Sequence, residues 1–148
     1  MEAYSWYQTL RKPSWAPPPW LFGPVWTFLY VIIAASYGYV FYLFLTRRVS
    51  FMILLPFVLN LSFNVSFTPL QFPSTSSGQV VFSRMVLATL DVLLVLGTLV
   101  WEMVMIFPFA RWVSLANIPY LIWVCFATVL QLTVTYLNRK KIGNENIE

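Results

Sequence analysis

The sequence holds no histidine, a single cysteine and few charges: Asp, Glu, Lys and Arg together make up 9% of 148 residues, against about 25% in an ordinary soluble domain. Lack of histidine removes the commonest metal ligand and general base, which excludes zinc hydrolases, His-ligated haem and Ser-His triads. Cys125 has no second cysteine to pair with, so no intrachain disulfide forms. The opening MEAYSWYQTLRKPSW lacks a basic stretch followed by an apolar one and is not expected to be a signal peptide. The nine basic residues are Arg11, Lys12, Arg47, Arg48, Arg84, Arg111, Arg139, Lys140 and Lys141. They punctuate apolar segments instead of forming a patch, a pattern that flanks membrane spans and does not suit nucleic acid.

What the chain has in abundance is apolar surface, 59% of its residues. Counted in spans of about 20 residues, it accommodates four, and the expected fold class is all-α, an integral membrane helical bundle with four transmembrane helices. Residues 1–21 hold Trp6, Tyr7, Arg11, Lys12, Trp15 and Trp20 among Pro13, Pro17, Pro18 and Pro19. Proline forbids a regular helix there, and the Trp, Tyr and basic side chains prefer the headgroup region, so this is read as an ordered interfacial loop. The bundle occupies residues 22–138, with spans expected at about 22–46, 51–72, 80–107 and 112–138; PSTSSGQ supplies the turn after the second span, and residues 139–148 form a polar tail. Strands are excluded because sheet edges cannot be satisfied in lipid. An even number of spans puts the loop, the link between the second and third spans and the C-terminus on one side. That side carries Arg11, Lys12, Arg84, Arg139, Lys140 and Lys141, against Arg47, Arg48 and Arg111 opposite. Both termini are therefore expected in the cytoplasm, in a multi-pass protein of the cell membrane.

Four features could carry chemistry. Asn60, Asn64, Phe67 and Gln71 recur at four, three and four residues and share one face of the second span. Such a stripe either hydrogen-bonds neighbouring helices or forms the polar wall of a cavity. Asp91 lies about a third of the way through the third span, where an unpaired charge costs several kcal/mol. It is a functional candidate by default, the structural alternative being a tether to Arg84 seven residues earlier; Glu102, eleven residues later, falls near the same helix face but is expected close to the opposite interface. In the first span Trp26, Tyr30 and Tyr37 repeat at four and seven residues, beside the small pair Ala34 and Gly38; the fourth span presents Tyr120, Trp123, Ala127 and Gln131 along one face. Two aromatic faces and a polar stripe could enclose a flat, mostly apolar ligand, although aromatic stripes more often only pack. Val134, Tyr136 and Arg139 satisfy a weak pattern proposed for cholesterol contact, and serve equally as interfacial anchors.

In order along the chain, WYQTLRKPSWAPPPWLFGPVWTFLY, LNLSFN, ATLDVLLV and IPYLIWVCFATVLQLTVTYLN resemble the TspO/MBR family, also known as the tryptophan-rich sensory protein, translocator protein or peripheral benzodiazepine receptor family. The likeness runs from Trp6 to Asn138. It implies a pocket inside a helical bundle that binds porphyrins, with the N-terminal loop as its lid. By position, Trp26 and Trp123 match the two tryptophans associated with porphyrin chemistry, Asn60, Asn64 and Asp91 match pocket-lining polar positions, and Tyr7 and Ala127 are weaker matches. Two departures stand out. Family members usually have five spans, the first preceding the KPSW loop, so the chain is expected to be that bundle lacking its first helix; and Gln131 stands where the family phrase usually has Asn.

The resulting expectation is a membrane binding protein, a sensor, carrier or regulator, for porphyrins and other tetrapyrroles. The ligand-binding set is Tyr7, Trp26, Tyr30, Asn60, Asn64, Phe67, Asp91, Tyr120, Trp123, Ala127 and Gln131. No cofactor and no metal are required, and with no histidine a metal-free porphyrin should bind at least as well as haem. The rival enzyme reading is light- and oxygen-dependent porphyrin degradation, with Trp26 and Trp123 as redox-active indoles; a third is a structural or assembly subunit without a ligand. Expected partners are the tetrapyrrole and the bilayer, with a homodimer suggested by family habit and the small residues of the first span.

Overall fold

The computed structural model describes residue 8, residues 10–71 and residues 78–144. In chain order the helices are α1 (Pro19–Leu45), α2 (Phe51–Gln71), α3 (Gly78–Ile106), α4 (Arg111–Ala116) and α5 (Ile118–Asn144). No strand occurs among the described residues. Four helices are long and apolar enough to cross a bilayer, over Pro19–Leu45, Phe51–Leu70, Ser83–Ile106 and Ile118–Arg139. The distribution of side chains is the reverse of a soluble bundle. Asn60, Asn64, Asp91, Glu102, Asn117, Gln131 and Asn138 are at most 5% exposed, whereas Val31, Leu45, Val65, Val104 and Ile122 are more than 60% exposed. Hydrocarbon solvates apolar side chains and cannot hydrogen-bond polar ones, so polar groups turn inward.

Local chemistry sets the helix ends. Pro19 starts α1 in the first turn, where its missing N–H costs nothing. At the other end the Arg48 amide donates to the Leu43 carbonyl (2.8 Å) and the Arg47 amide to Phe44 (2.9 Å), a Schellman closure. Arg47 there takes a left-handed φ of 57°. The sequence pattern ran 112–138 as one span, but the backbone divides it at Asn117, because Pro119 has no amide to continue the ladder. Asn117 ends α4 and begins α5, its carbonyl accepting the Leu121 amide at 2.9 Å, which leaves Pro119 in a first turn that needs no donor.

Leu29, Ile33, Tyr37, Val40 and Leu43 turn one face of α1 into the core, against Phe57 of α2, Val95 and Leu99 of α3, and Tyr120 and Val124 of α5. Hydrogen bonds fix the register. At the end away from the loop, Asn117 donates to Ser36 Oγ (3.1 Å) and Ser114 to the Met103 carbonyl (2.6 Å). At the loop end, Thr89 and Thr135 bond at 3.0 Å. The Pro-rich loop is fastened to the end of α5: Asn138 Oδ1 accepts the Arg11 amide (3.0 Å) while Asn138 Nδ2 donates to the Arg11 carbonyl (2.9 Å). Leu10 and Ala16 pack on Met85, Leu130 and Val134 beneath it.

Candidate functional site

The polar stripe of α2 meets tyrosines from two other helices. Tyr30 donates to Asn64 Oδ1 (2.8 Å), Asn64 Nδ2 donates to the Tyr120 hydroxyl (2.7 Å), and Tyr120 donates to Asn60 Oδ1 (3.1 Å). Asn60 Nδ2 donates to the Val95 carbonyl (2.9 Å) and to Thr98 Oγ1 (3.1 Å). The Tyr37 hydroxyl lies 2.7 Å from Asn60 Oδ1 and 2.5 Å from Glu102 Oε1. Asn60 therefore makes contacts with α1, α3 and α5 at once. Both asparagines thus join helices directly, whatever else they touch.

Toward the loop the same helices are joined by rings. Trp26 lies 5.4 Å from Tyr30 and 6.4 Å from Tyr120, centroid to centroid. Trp123 sits edge-on to Phe22 at 5.6 Å and tilted against Phe126 at 5.5 Å, and Trp15 of the loop covers Phe126 at 5.9 Å. These separations fall in the range where aromatic pairs attract beyond their buried area. Trp123 Nε1, in the second of these ring groups, is buried without a hydrogen-bond partner among the described residues, as are Asp91 Oδ2 and Glu102 Oε2 of α3 and Asn117 Oδ1.

Arg84 does not tether Asp91: its guanidinium donates to the Pro69 carbonyl at 3.1 Å, and no ion pair joins the two among the described residues. Gln131 is buried, its amide 3.4 Å from Thr135 Oγ1. Phe67 and Ala127 are half-buried, and Tyr7 lies outside the described residues. The small pair Ala34 and Gly38 faces outward on α1. A shallow hollow of about 560 Å³ is lined by Leu132, Thr133, Thr135, Tyr136 and Arg139, with the Arg139 guanidinium 3.8 Å above the Tyr136 ring. It is separate from the Trp26 and Trp123 cluster. Among the described residues no group of three His, Cys, Asp or Glu side chains could hold a metal.

Sequence reasoning passed over Phe22, Phe126, Asn117 and Asn138, and set Glu102 near an interface. Glu102 is instead fully buried. Its face was legible, since eleven residues bring it to the same side of α3 as Asp91; its depth in the bundle was not.

A membrane-spanning helical bundle with tryptophan-centred ring groups between its first and last spans, a polar helix stripe and a proline-rich loop fastened to one end is the class that fold and site define. The TspO/MBR sequence pattern matches residues 1–137, and the chain belongs to that family. It is 32% identical over 134 residues to the tryptophan-rich protein TspO of Bacillus cereus, covering 90% of this chain and 81% of that one. Its identity to the tryptophan-rich protein TspO of Chlorobaculum tepidum is 34% over 141 residues, covering 90% and 80%. To the translocator protein of Homo sapiens it is 32% over 138 residues, covering 90% and 75%.

Proposed function

We propose that this protein binds tetrapyrroles within the membrane, metal-free porphyrins above all, as a sensor, carrier or regulator of their level. The observation that carries this reading is the pair of ring groups around Trp26 and Trp123 together with two buried polar atoms on side chains that make no hydrogen bond, Trp123 Nε1 and Asp91 Oδ2. Flat aromatic walls suit a macrocycle, while the Trp123 N–H offers a donor and the Asp91 carboxyl an acceptor that no protein group uses. The pyrrole N–H groups of a metal-free porphyrin complement such an acceptor. In this reading the loop fastened by Asn138 is the lid, and the excess of basic residues on the lid side supports a cytoplasmic lid and C-terminus in a cell-membrane protein.

The test is a titration of the detergent-solubilised protein with protoporphyrin IX in the dark, followed by tryptophan quenching. Saturable binding, weakened about tenfold (about 1.4 kcal/mol) by Trp26→Phe with Trp123→Phe, is the expected result. Binding that does not saturate, or that the double variant leaves untouched, overturns the reading, and a preference for haem with a ligand-bound iron spectrum overturns the metal-free choice.

One observation favours a second reading, photo-oxidative degradation of the ligand. Trp26 touches Tyr30 and Tyr120, and both hydroxyls donate to asparagine oxygens; an indole oxidised by an excited porphyrin would have tyrosines beside it to refill the hole. Loss of porphyrin absorbance under light and oxygen, abolished by the tryptophan changes and absent from protein-free controls, distinguishes catalysis from binding.

A further inference from the structure

We infer that Glu102 is a buried proton-binding site: its carboxyl carries a proton in the folded protein, and that proton fixes the pattern of the tyrosine and asparagine chain ending beside Trp26. The argument is a count of hydrogens. Tyr37 has one hydroxyl hydrogen and two oxygen neighbours at hydrogen-bonding separation, Asn60 Oδ1 at 2.7 Å and Glu102 Oε1 at 2.5 Å. Asn60 Oδ1 is acceptor-only, so the first contact takes the Tyr37 hydrogen. The second contact then needs a hydrogen of its own. Only a protonated Glu102 supplies it.

Turning the Asn60 amide over does not escape the count. Its oxygen would then face the Val95 carbonyl, now 2.9 Å from Nδ2, as two acceptors with no hydrogen between them. A second observation agrees. Glu102 is fully buried and its Oε2 has no partner, which the carbonyl oxygen of a neutral acid tolerates far better than an anion does.

Among the described residues no ion pair to Glu102 takes the place of the proton. The groups that face Glu102 are Tyr37 of α1, which it bonds, Asn60 of α2, which shares that Tyr37 hydroxyl, and Tyr120 of α5, which bonds Asn60. Of these, Tyr37 and Tyr120 are titratable and neither is basic. Arg111, the nearest basic residue in the chain, is exposed and lies over the Phe107 ring at 5.5 Å.

If the proton leaves, Tyr37 turns its hydrogen to the carboxylate, and Asn60 Oδ1 is left facing a bare phenol oxygen. Asn60 must then move, taking with it the hydrogen bond to Tyr120; Tyr120 holds Asn64, which holds Tyr30. Tyr30 and Tyr120 are the two rings that touch Trp26. The state of one carboxyl is thus felt at the aromatic cluster. By linkage, a ligand seated there changes the proton affinity of Glu102. That last step rests on the proposed function; the proton itself does not.

Infrared spectroscopy of the protein without ligand tests this. The spectrum is expected to contain a carboxylic-acid carbonyl band that disappears in Glu102→Gln, whose amide can still donate to Tyr37 and keep the fold. The same band should persist in Asp91→Asn, shift in Tyr37→Phe, and shift by less in Tyr30→Phe at the far, exposed end of the chain. Absence of any band lost in Glu102→Gln overturns the proton site. A Glu102 band indifferent to Tyr37→Phe overturns its pairing, and one indifferent to Tyr30→Phe overturns the transmission. Failure of porphyrin to bind while the band behaves as expected overturns the ligand reading alone.

Discussion

In the network that joins α1, α2 and α5, Tyr37, Asn60, Asn64 and Tyr120 engage every polar side-chain atom they have. Among the described residues four other polar atoms are buried with no partner: Glu102 Oε2 and Asn117 Oδ1 belong to side chains held through their other polar atom, whereas Asp91 Oδ2 and Trp123 Nε1 belong to side chains that make no hydrogen bond at all. Helix joining alone accounts for the first arrangement. It does not account for the second, because an unmatched buried polar atom costs stability and returns none. The contrast separates side chains whose task is to hold helices from side chains whose partner lies outside the chain.

The contrast breaks most readily at Asn60. Asn60→Leu removes four hydrogen bonds, each worth about 0.6 kcal/mol inside a membrane bundle, and should lower stability by about 2 kcal/mol. Denaturant unfolding in detergent measures it, and a loss under about 0.5 kcal/mol would mean that the network holds nothing. Asn138→Ala comes next, at about 1 kcal/mol for the two bonds to the loop. Amide exchange should accelerate over residues 10–16 and stay unchanged in α2; protection that persists would assign the loop's hold to Leu10 and Ala16 instead. The smallest effect is expected at Trp123→Phe, which deletes an N–H that bonds to nothing. Only the packing of a few ring atoms is lost with it, so stability should change by less than about 1 kcal/mol, while porphyrin quenching weakens. A large loss of stability there would place Trp123 with the helix-holding residues and erase the distinction.

The four spans were legible because lipid imposes a length and a composition that nothing else in the chain imitates. Asn60 and Asn64 could be placed on one face for a similar reason, since helical periodicity is a property of one segment. What periodicity cannot give is the partner. That Asn60 meets Tyr37, Thr98 and Tyr120 depends on the relative height of four helices, and height is set by packing between segments far apart in sequence. Glu102 illustrates the limit: four residues from the end of α3, it looks interfacial by counting, yet Tyr37 reaches it because α1 is pitched to that level. The joint at Asn117 escaped for another reason. Pro119 is compatible with a kink in a continuous span or with the first turn of a new helix, and only the capping bonds decide between them.

Asn117 also makes α5 a lever. Tyr120, Trp123 and Asn138 stand on one rod at about 4, 9 and 32 Å from that joint, at about 1.5 Å per residue. A tilt that displaces Tyr120 by a few tenths of an ångström sweeps Asn138 through about seven times as much, roughly 2 Å, more than the two hydrogen bonds to Arg11 can stretch. A rearrangement around Asn60 too slight to register in the core would therefore be legible at the opposite end of the helix, as the release of the loop.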